Sequence, residues 1–262
     1  MRTIKMIFCF IGVSLKKEYA YRFELLMTFV NLLFQLSFTI IFWFTLFQYI
    51  PALAGWSIKE LLFYTSVVSL GEGIGGFFFG FRDMPERILN GEVDKYLVRP
   101  VNVMMALLFE NVSVFYLLQQ ILVSFVIMGV IMIRFDIEIT LVRVLAAVFV
   151  LVAGVLIIQF IIGIITFLTF WLGRIESLRN LFLSVLEVRE YPLCVYPKSI
   201  QTLLSYFLPV SFSAYYPAAI LLQKKEVTFE LLGGVSLYVG VLFLIFQVVW
   251  RKGIKRYEAN GG

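Results

Sequence analysis

The chain contains no histidine and only two cysteines among its 262 residues. Without histidine, Ser–His and Cys–His nucleophilic catalysis, histidine-ligated zinc and haem with an axial histidine are excluded. Cys9 and Cys194 are far apart and lack metal-ligand neighbours, so we expect neither a disulfide nor a metal site. There is also no Gly-Lys dipeptide, hence no P-loop, and we expect no ATP hydrolysis by this chain.

Charge is scarce as well. Charged residues make up 15% of the chain and hydrophobic residues 61%, whereas a soluble domain has roughly 25% charged residues. A domain of this size cannot bury so much apolar surface in one aqueous core, so the excess must face lipid. The remaining loops are too small and too poor in reactive groups for an active site, and we predict that the chain is not an enzyme.

Long stretches without charge predict the membrane spans, since a spanning helix needs about 20 apolar residues. Six are expected, in an all-α integral membrane protein with one transmembrane domain over 1–262. They fall within 25–58, 61–80, 103–133, 144–173, a weaker helix beginning near 181, and 231–250. With both termini in the cytoplasm, 15 of the 22 basic residues lie on the cytoplasmic side, as the positive-inside rule requires.

The first 22 residues have a basic beginning and a short apolar run, as a signal peptide does. However, Lys16 and Lys17 follow the apolar run directly, and no small-residue cleavage site is present. A helix lying in the cytoplasmic interface, with its lysines reaching to water, fits these residues better.

The segment 189–225 is apolar and aromatic but is interrupted by Pro192, Pro197, Pro209 and Pro217. Proline breaks a helix, and irregular backbone is not tolerated where it faces lipid. We therefore expect short re-entrant helices that enter the outer leaflet and pack against protein. The alternative is an extracellular loop that rests on the membrane surface.

The segment 81–102 is hydrophilic and holds eight charged residues, four of each sign. Asp83 and Glu86 suit the start of a short helix with Pro85 in its first turn, and Gly91 can close that helix. A second short element is expected over 93–100. The interleaved apolar residues favour docking to a cytoplasmic partner, whereas the alternative is a solvated loop.

The run Gly71-Glu72-Gly73-Ile74-Gly75-Gly76 matches G-x-G-x-x-G, but it lies within an apolar span. A dinucleotide site needs a preceding strand, so we interpret Gly71 and Gly75 as close-packing positions of a membrane helix. An acidic residue at membrane depth usually faces a cavity or a partner, and Glu72 is a candidate for lining a pathway or pairing helices. Glu110 and Glu187 are expected nearer the interfaces.

Residues 89–100 carry a family resemblance. They read LNGEVDKYLVRP and fit L-x-x-G-x-(V/I)-D-x-x-L-x-R-P, preceded by Phe81-Arg82 and Glu86-Arg87. The chain resembles permease subunits of ABC-2 type exporters, in the bacterial branch whose cytoplasmic loop has this pattern. Tyr191-Pro192-Leu193 and Leu208-Pro209 also resemble the family, and the similarity extends over essentially the whole chain.

The resemblance implies a multi-pass protein of the bacterial cell (inner) membrane. It implies pairing with a second permease, identical or homologous, and with two separate ABC ATPase subunits; these would bind ATP and Mg²⁺, with no cofactor in this chain and no nucleic-acid partner. The cytoplasmic segment would be a coupling helix contacting the ATPase through Arg82, Asp83, Glu86, Arg87, Gly91, Asp94, Leu97, Arg99 and Pro100. A smaller contact would lie at 174–179, and Pro192, Pro197 and Pro209 would belong to the extracellular gate.

A second hypothesis is an ATP-independent protein, either a secondary transporter or a membrane assembly scaffold. A secondary transporter is expected to show internal repeats and paired polar residues at the midplane, and the sequence shows no convincing repeat. The substrate stays open, because apolar and aromatic walls suit amphipathic drugs, lipids, lipid-linked glycans and hydrophobic peptides equally.

Overall fold

The computed structural model describes residues 2–77, 80–135 and 140–257. Within these residues, five helices are long and apolar enough to cross a membrane. They are α2 (Arg22–Leu46), α3 (Ile58–Gly76), α7 (Val114–Phe135), α8 (Leu141–Phe167) and α13 (Phe229–Arg256). The other α-helices are α1 (Arg2–Ala20), α4 (Gly80–Leu89), α5 (Asp94–Leu97), α6 (Val103–Phe109), α9 (Thr169–Leu172), α10 (Glu176–Leu186), α11 (Lys198–Thr202) and α12 (Tyr215–Leu221). The predicted all-α class is therefore confirmed.

The two ends of α3 serve as reference points for the two ends of the helix bundle. At one end, here called the loop end, α4 and α5 follow α3, and Arg179 of α10 donates a hydrogen bond to the carbonyl oxygen of Arg82 (2.6 Å). At the opposite end, here called the far end, Lys224 forms an ion pair with Glu60 of α3 (3.0 Å). A 19-residue helix is about 28 Å long. The chain between Arg179 and Lys224 therefore passes from one end of the bundle to the other.

A single weaker helix was predicted to begin near residue 181. The structure instead has a series of short helices between Arg179 and Lys224, here called the broken passage. It consists of α10, short 3₁₀-helices at Glu187–Glu190, Leu193–Val195 and Val210–Ser213, α11, the π-helix Leu203–Phe207, and α12. Pro192, Pro197 and Pro209 each directly precede one of these short helices. Proline cannot donate the hydrogen bond that would continue the previous helix, so each proline ends one element and begins the next.

The broken passage is buried against the middle of α8. A Cβ atom on Gly154 would lie 2.3 Å from the carbonyl carbon of Phe212, so only glycine allows the two backbones to approach this closely. Ser211, Phe212 and Ser213 are all buried. Irregular backbone thus lies at the depth of the centre of a long apolar helix, where surrounding protein covers it.

The predicted third span over 103–133 is two helices rather than one. The Asn102 side chain accepts a hydrogen bond from the Met105 N–H (3.1 Å) and begins α6. The Glu18 carboxylate accepts from the Ser113 hydroxyl and from the Phe115 N–H (3.3 Å), and so caps the start of α7 from another helix. Residues 78 and 79, which belong to the predicted second span, lie outside the described residues.

The segments near both termini lie at the loop end. Glu18, close to the end of α1, contacts Ser113, and the Ser14 hydroxyl donates to the Glu110 carbonyl oxygen (3.2 Å). At the end of α13, the Trp250 ring lies 4.9 Å from that of Phe167 of α8. Because the two segments lie at the same end, the chain runs an even number of times between the loop end and the far end, which agrees with five long helices and the broken passage. The cytoplasmic sidedness and the interfacial position of α1 stay predictions.

Candidate functional site

The hydrophilic segment 81–102 folds in the predicted order. The helix α4 ends at Leu89, Gly91 adopts a left-handed backbone (φ +77°), and α5 follows. Glycine takes this conformation without the steric cost that other residues incur. The prediction for Pro85 was wrong in detail, because Pro85 lies inside α4 rather than in its first turn.

Arg87 faces inward and fixes the segment. It is 6% exposed, its Nε donates to Glu92 (3.3 Å), and its Nη2 donates to the Tyr96 hydroxyl (3.0 Å) and to Glu110. Lys95 donates to the second oxygen of Glu110 (3.2 Å). Arg87 was expected to contact an ATPase, but its place on the inner face of α4 makes it an internal clamp between the segment and the break that separates α6 from α7.

Most of the other predicted contact residues are exposed. Arg82, Asp83, Glu86, Leu97, Arg99 and Pro100 are exposed. Val98, which the sequence reasoning missed, is 83% exposed. The consecutive exposed residues 97–100 form the outward face of the segment, in which apolar and charged side chains lie next to one another.

Asp94 is half-buried and turned towards the end of α13. Burial, together with the neighbouring Asp94 carboxylate, raises the pKa of the Tyr257 hydroxyl to about 12. The two groups are close, yet Asp94 Oδ1 and the Tyr257 hydroxyl make no hydrogen bond of normal geometry within the described part of the chain. Asp94 thus faces the chain's own last helix rather than the outward surface.

A cleft of about 520 Å³ lies between α2, α3, α7, α8 and α10. Within it, Arg189 forms an ion pair with Glu72 (2.9 Å). Tyr64 of α3 donates hydrogen bonds to the carbonyl oxygens of Arg189 and Tyr191, which holds this part of the broken passage beside α3. Arg189 was predicted on the extracellular side, and this was wrong: its charge is neutralised by Glu72 inside the bundle, where an unpaired arginine would be costly.

The profile of a family described as ABC-2 family transporter protein matches residues 33–261. The chain belongs to the ABC-2 transporter family. Searches of curated proteins and of solved structures gave no match. The protein is thus the transmembrane permease part of an ABC-type transporter, a multi-pass membrane protein whose partners are an ABC ATPase and membrane lipid. The predicted family is confirmed.

The glycines of the permease's α3 lie where neighbouring elements approach. A Cβ atom on Gly71 would lie 2.8 Å from the Ser213 carbonyl oxygen, and one on Gly76 would lie 2.3 Å from the Tyr116 ring. The Gly75 carbonyl accepts a hydrogen bond from Gln159 of α8 (2.9 Å). The G-x-G-x-x-G match is part of a packed helix, and no strand precedes it in residues 2–77.

Two roles in the permease were missed from the sequence. Glu110 was expected only near an interface, yet it accepts from both Arg87 and Lys95. The sequence feature that could have indicated this role is that Glu110 is the one charged residue in the apolar stretch 103–133. Arg189 could not be paired with Glu72 from the sequence, because 117 positions separate them. Glu187 lies in the 3₁₀-turn that carries Arg189.

Proposed function

We propose that this permease exports its substrate, pairs with a second permease that is identical or homologous, and is driven by two ATPase subunits that seat residues 81–102 in a cleft. ATP and Mg²⁺ bind to those ATPases. Closure of the ATPases then moves the permease between inward-facing and outward-facing states.

The outward face of 81–102 supports this coupling role. Val98 and Leu97 are 83% and 47% exposed beside Arg99. Exposed apolar side chains within a charged rim are typical of a protein contact. The internal clamp of Arg87 and Glu110 makes the surface suitable for transmitting force, because the segment cannot bend freely away from α6 and α7.

The substrate pathway belongs to the cleft between α2, α3, α7, α8 and α10, completed by the second permease. The broken passage with Pro192, Pro197 and Pro209 supplies the outer gate. Two observations support this part: the cleft holds an ion pair at the depth of the apolar helices, and the passage has short elements at that depth rather than one rigid helix. Discontinuous helices beside a polar site are a common design in transporters.

Val98→Asp and Arg99→Glu test the coupling surface. Both change exposed residues, so the permease should insert and fold normally. We expect each variant to lose most of the ATPase that copurifies with the tagged permease, and to lose transport-coupled ATP hydrolysis. Lys252→Glu is the matched control, because Lys252 is an exposed lysine at the same end of the bundle on α13.

Undiminished copurification and hydrolysis in both variants would remove the coupling assignment. Transport by the permease in vesicles without any ATPase would favour a secondary transporter instead. Neither result would affect membership of the family.

A further inference from the structure

The charges that line the cleft are unbalanced. Within 2–77, 80–135 and 140–257, three arginines line it, Arg82, Arg179 and Arg189, against the single carboxylate of Glu72. Glu72 is already neutralised by Arg189 at 2.9 Å. The net positive charge therefore resides on Arg82 and Arg179, at the loop end of the cleft.

These two arginines retain donors for a ligand. Arg179 uses Nη1 to donate to the carbonyl oxygen of Arg82, which places the two residues side by side. Within the described residues, the Arg82 guanidinium forms neither an ion pair nor a hydrogen bond. A guanidinium group matches the geometry of a phosphate, sulfate or carboxylate, which it binds through two parallel hydrogen bonds.

Two facing walls of the cleft carry aliphatic side chains, whereas Gln35, Tyr116 and Gln159 line other parts of it. Val155, Ile158 and Ile162 follow one face of α8, and Leu183 and Leu186 face them from α10. The volume of about 520 Å³ lies within the range of small-molecule sites. A ligand with a charged head and an apolar chain can therefore contact both the two arginines and these aliphatic walls.

We propose that the cleft takes an anionic amphiphile, whose phosphate, sulfate or carboxylate group binds Arg82 and Arg179 and whose apolar chain lies along α8 and α10. This inference rests on the proposed function, since it names the substrate class of that pathway. It also reassigns Arg82 from the ATPase contact to the cleft. A cationic amphiphile is disfavoured, because Glu72, the one carboxylate that lines the cleft among the described residues, is engaged by Arg189.

Equilibrium dialysis of the intact permease in zwitterionic nanodiscs tests this directly. Radiolabelled dodecyl phosphate and dodecyltrimethylammonium are compared, with empty nanodiscs to subtract partitioning into lipid. We expect dodecyl phosphate to bind at least tenfold more tightly than the cation. Arg82→Gln and Arg179→Gln should each weaken its binding about tenfold, or about 1.4 kcal/mol. Arg251→Gln is the control, since Arg251 is exposed at the loop end but does not line the cleft.

Equal binding of the cation, or equal losses in all three glutamine variants, would overturn the proposal. Inorganic phosphate identifies the source of the anion: free phosphate that binds as tightly as dodecyl phosphate would overturn the requirement for an apolar chain. Arg179→Lys guards against misfolding, because it keeps the charge and should retain most of the binding. Dialysis needs no ATPase, so the two failures are distinguishable: undiminished ATPase copurification in Val98→Asp and Arg99→Glu would remove the coupling assignment without changing the binding of dodecyl phosphate.

Discussion

The clamp centred on Arg87 can be tested by substituting Arg87 with Met, which preserves much of the side-chain volume and removes the charge. In the wild type, the Arg87 side chain is 7% exposed and that of Glu110 is 30% exposed. Removing one partner of a buried ion pair costs about 3–5 kcal/mol. Glu110 is partly exposed and keeps Lys95 at 3.2 Å, so the expected loss of local stability is smaller, about 2 kcal/mol.

Hydrogen exchange followed by mass spectrometry measures this loss, because amide exchange reports local opening. A change of about 2 kcal/mol corresponds to an increase of about 30-fold in exchange rate. The increase should appear in peptides from 81–102 and from the start of α7, and should be absent from peptides of α13. The permease is measured in nanodiscs without an ATPase, so that partner binding does not contribute.

Arg99→Met is the control, because Arg99 belongs to the same segment but is exposed. Its exchange should stay within a factor of about two of the wild type, as exposed substitutions usually cost under 0.5 kcal/mol. The double variant Arg87→Met with Glu110→Gln should lose less stability than the sum of the single variants. Equal exchange in Arg87→Met and Arg99→Met would refute the clamp.

Two further predictions concern packing. Gly154→Ala should lower the apparent Tm of the purified permease, because its Cβ would collide with the backbone of Phe212; overpacking costs about 1–3 kcal/mol. Gly129→Ala, which meets no atom within 4 Å, should leave the Tm unchanged, and equal Tm values would contradict the close approach. Lys224→Met should loosen the far end by about 1 kcal/mol, since Lys224 contacts both Glu60 and the Gly55 carbonyl. Proteolysis of residues 51–57 measures this loosening, and Lys225→Met, at an exposed neighbouring position, should have no effect.

Hydropathy identified the five long helices because a lipid-facing helix must be apolar along its entire length, and that requirement is local in sequence. The short helices of 81–102 were also accessible, since Gly91 and the charge pattern act over a few residues. Boundaries were less accurate: Glu110 appeared to lie within a span, whereas an arginine 23 positions away holds it at a break between two helices.

The packing of the broken passage and the partners of the ion pairs could not be predicted from the sequence and became known only from the structure. Proline positions showed that 189–225 could not be one helix, but they carry no information on what each piece packs against. The pairing of Glu72 with Arg189 depends on how α3 and the 3₁₀-turn Glu187–Glu190 lie together, and no local pattern encodes that contact. Arg87 looked suitable for docking because charge alone does not tell which face of a short helix is buried.

The broken passage is attached to α3 or to the segment after it at three levels. Arg179 bonds to Arg82 at the loop end, Arg189 and its carbonyl are held by Glu72 and Tyr64 within the bundle, and Lys224 is held by Glu60 at the far end. Packed helices shift between discrete arrangements rather than deform continuously. A change of state must therefore either move α3 and the passage together or break one of these contacts. The residues of two of these contacts, Arg179 with Arg82 and Arg189 with Glu72, line the cleft, so a ligand bound there can change the balance between the two arrangements.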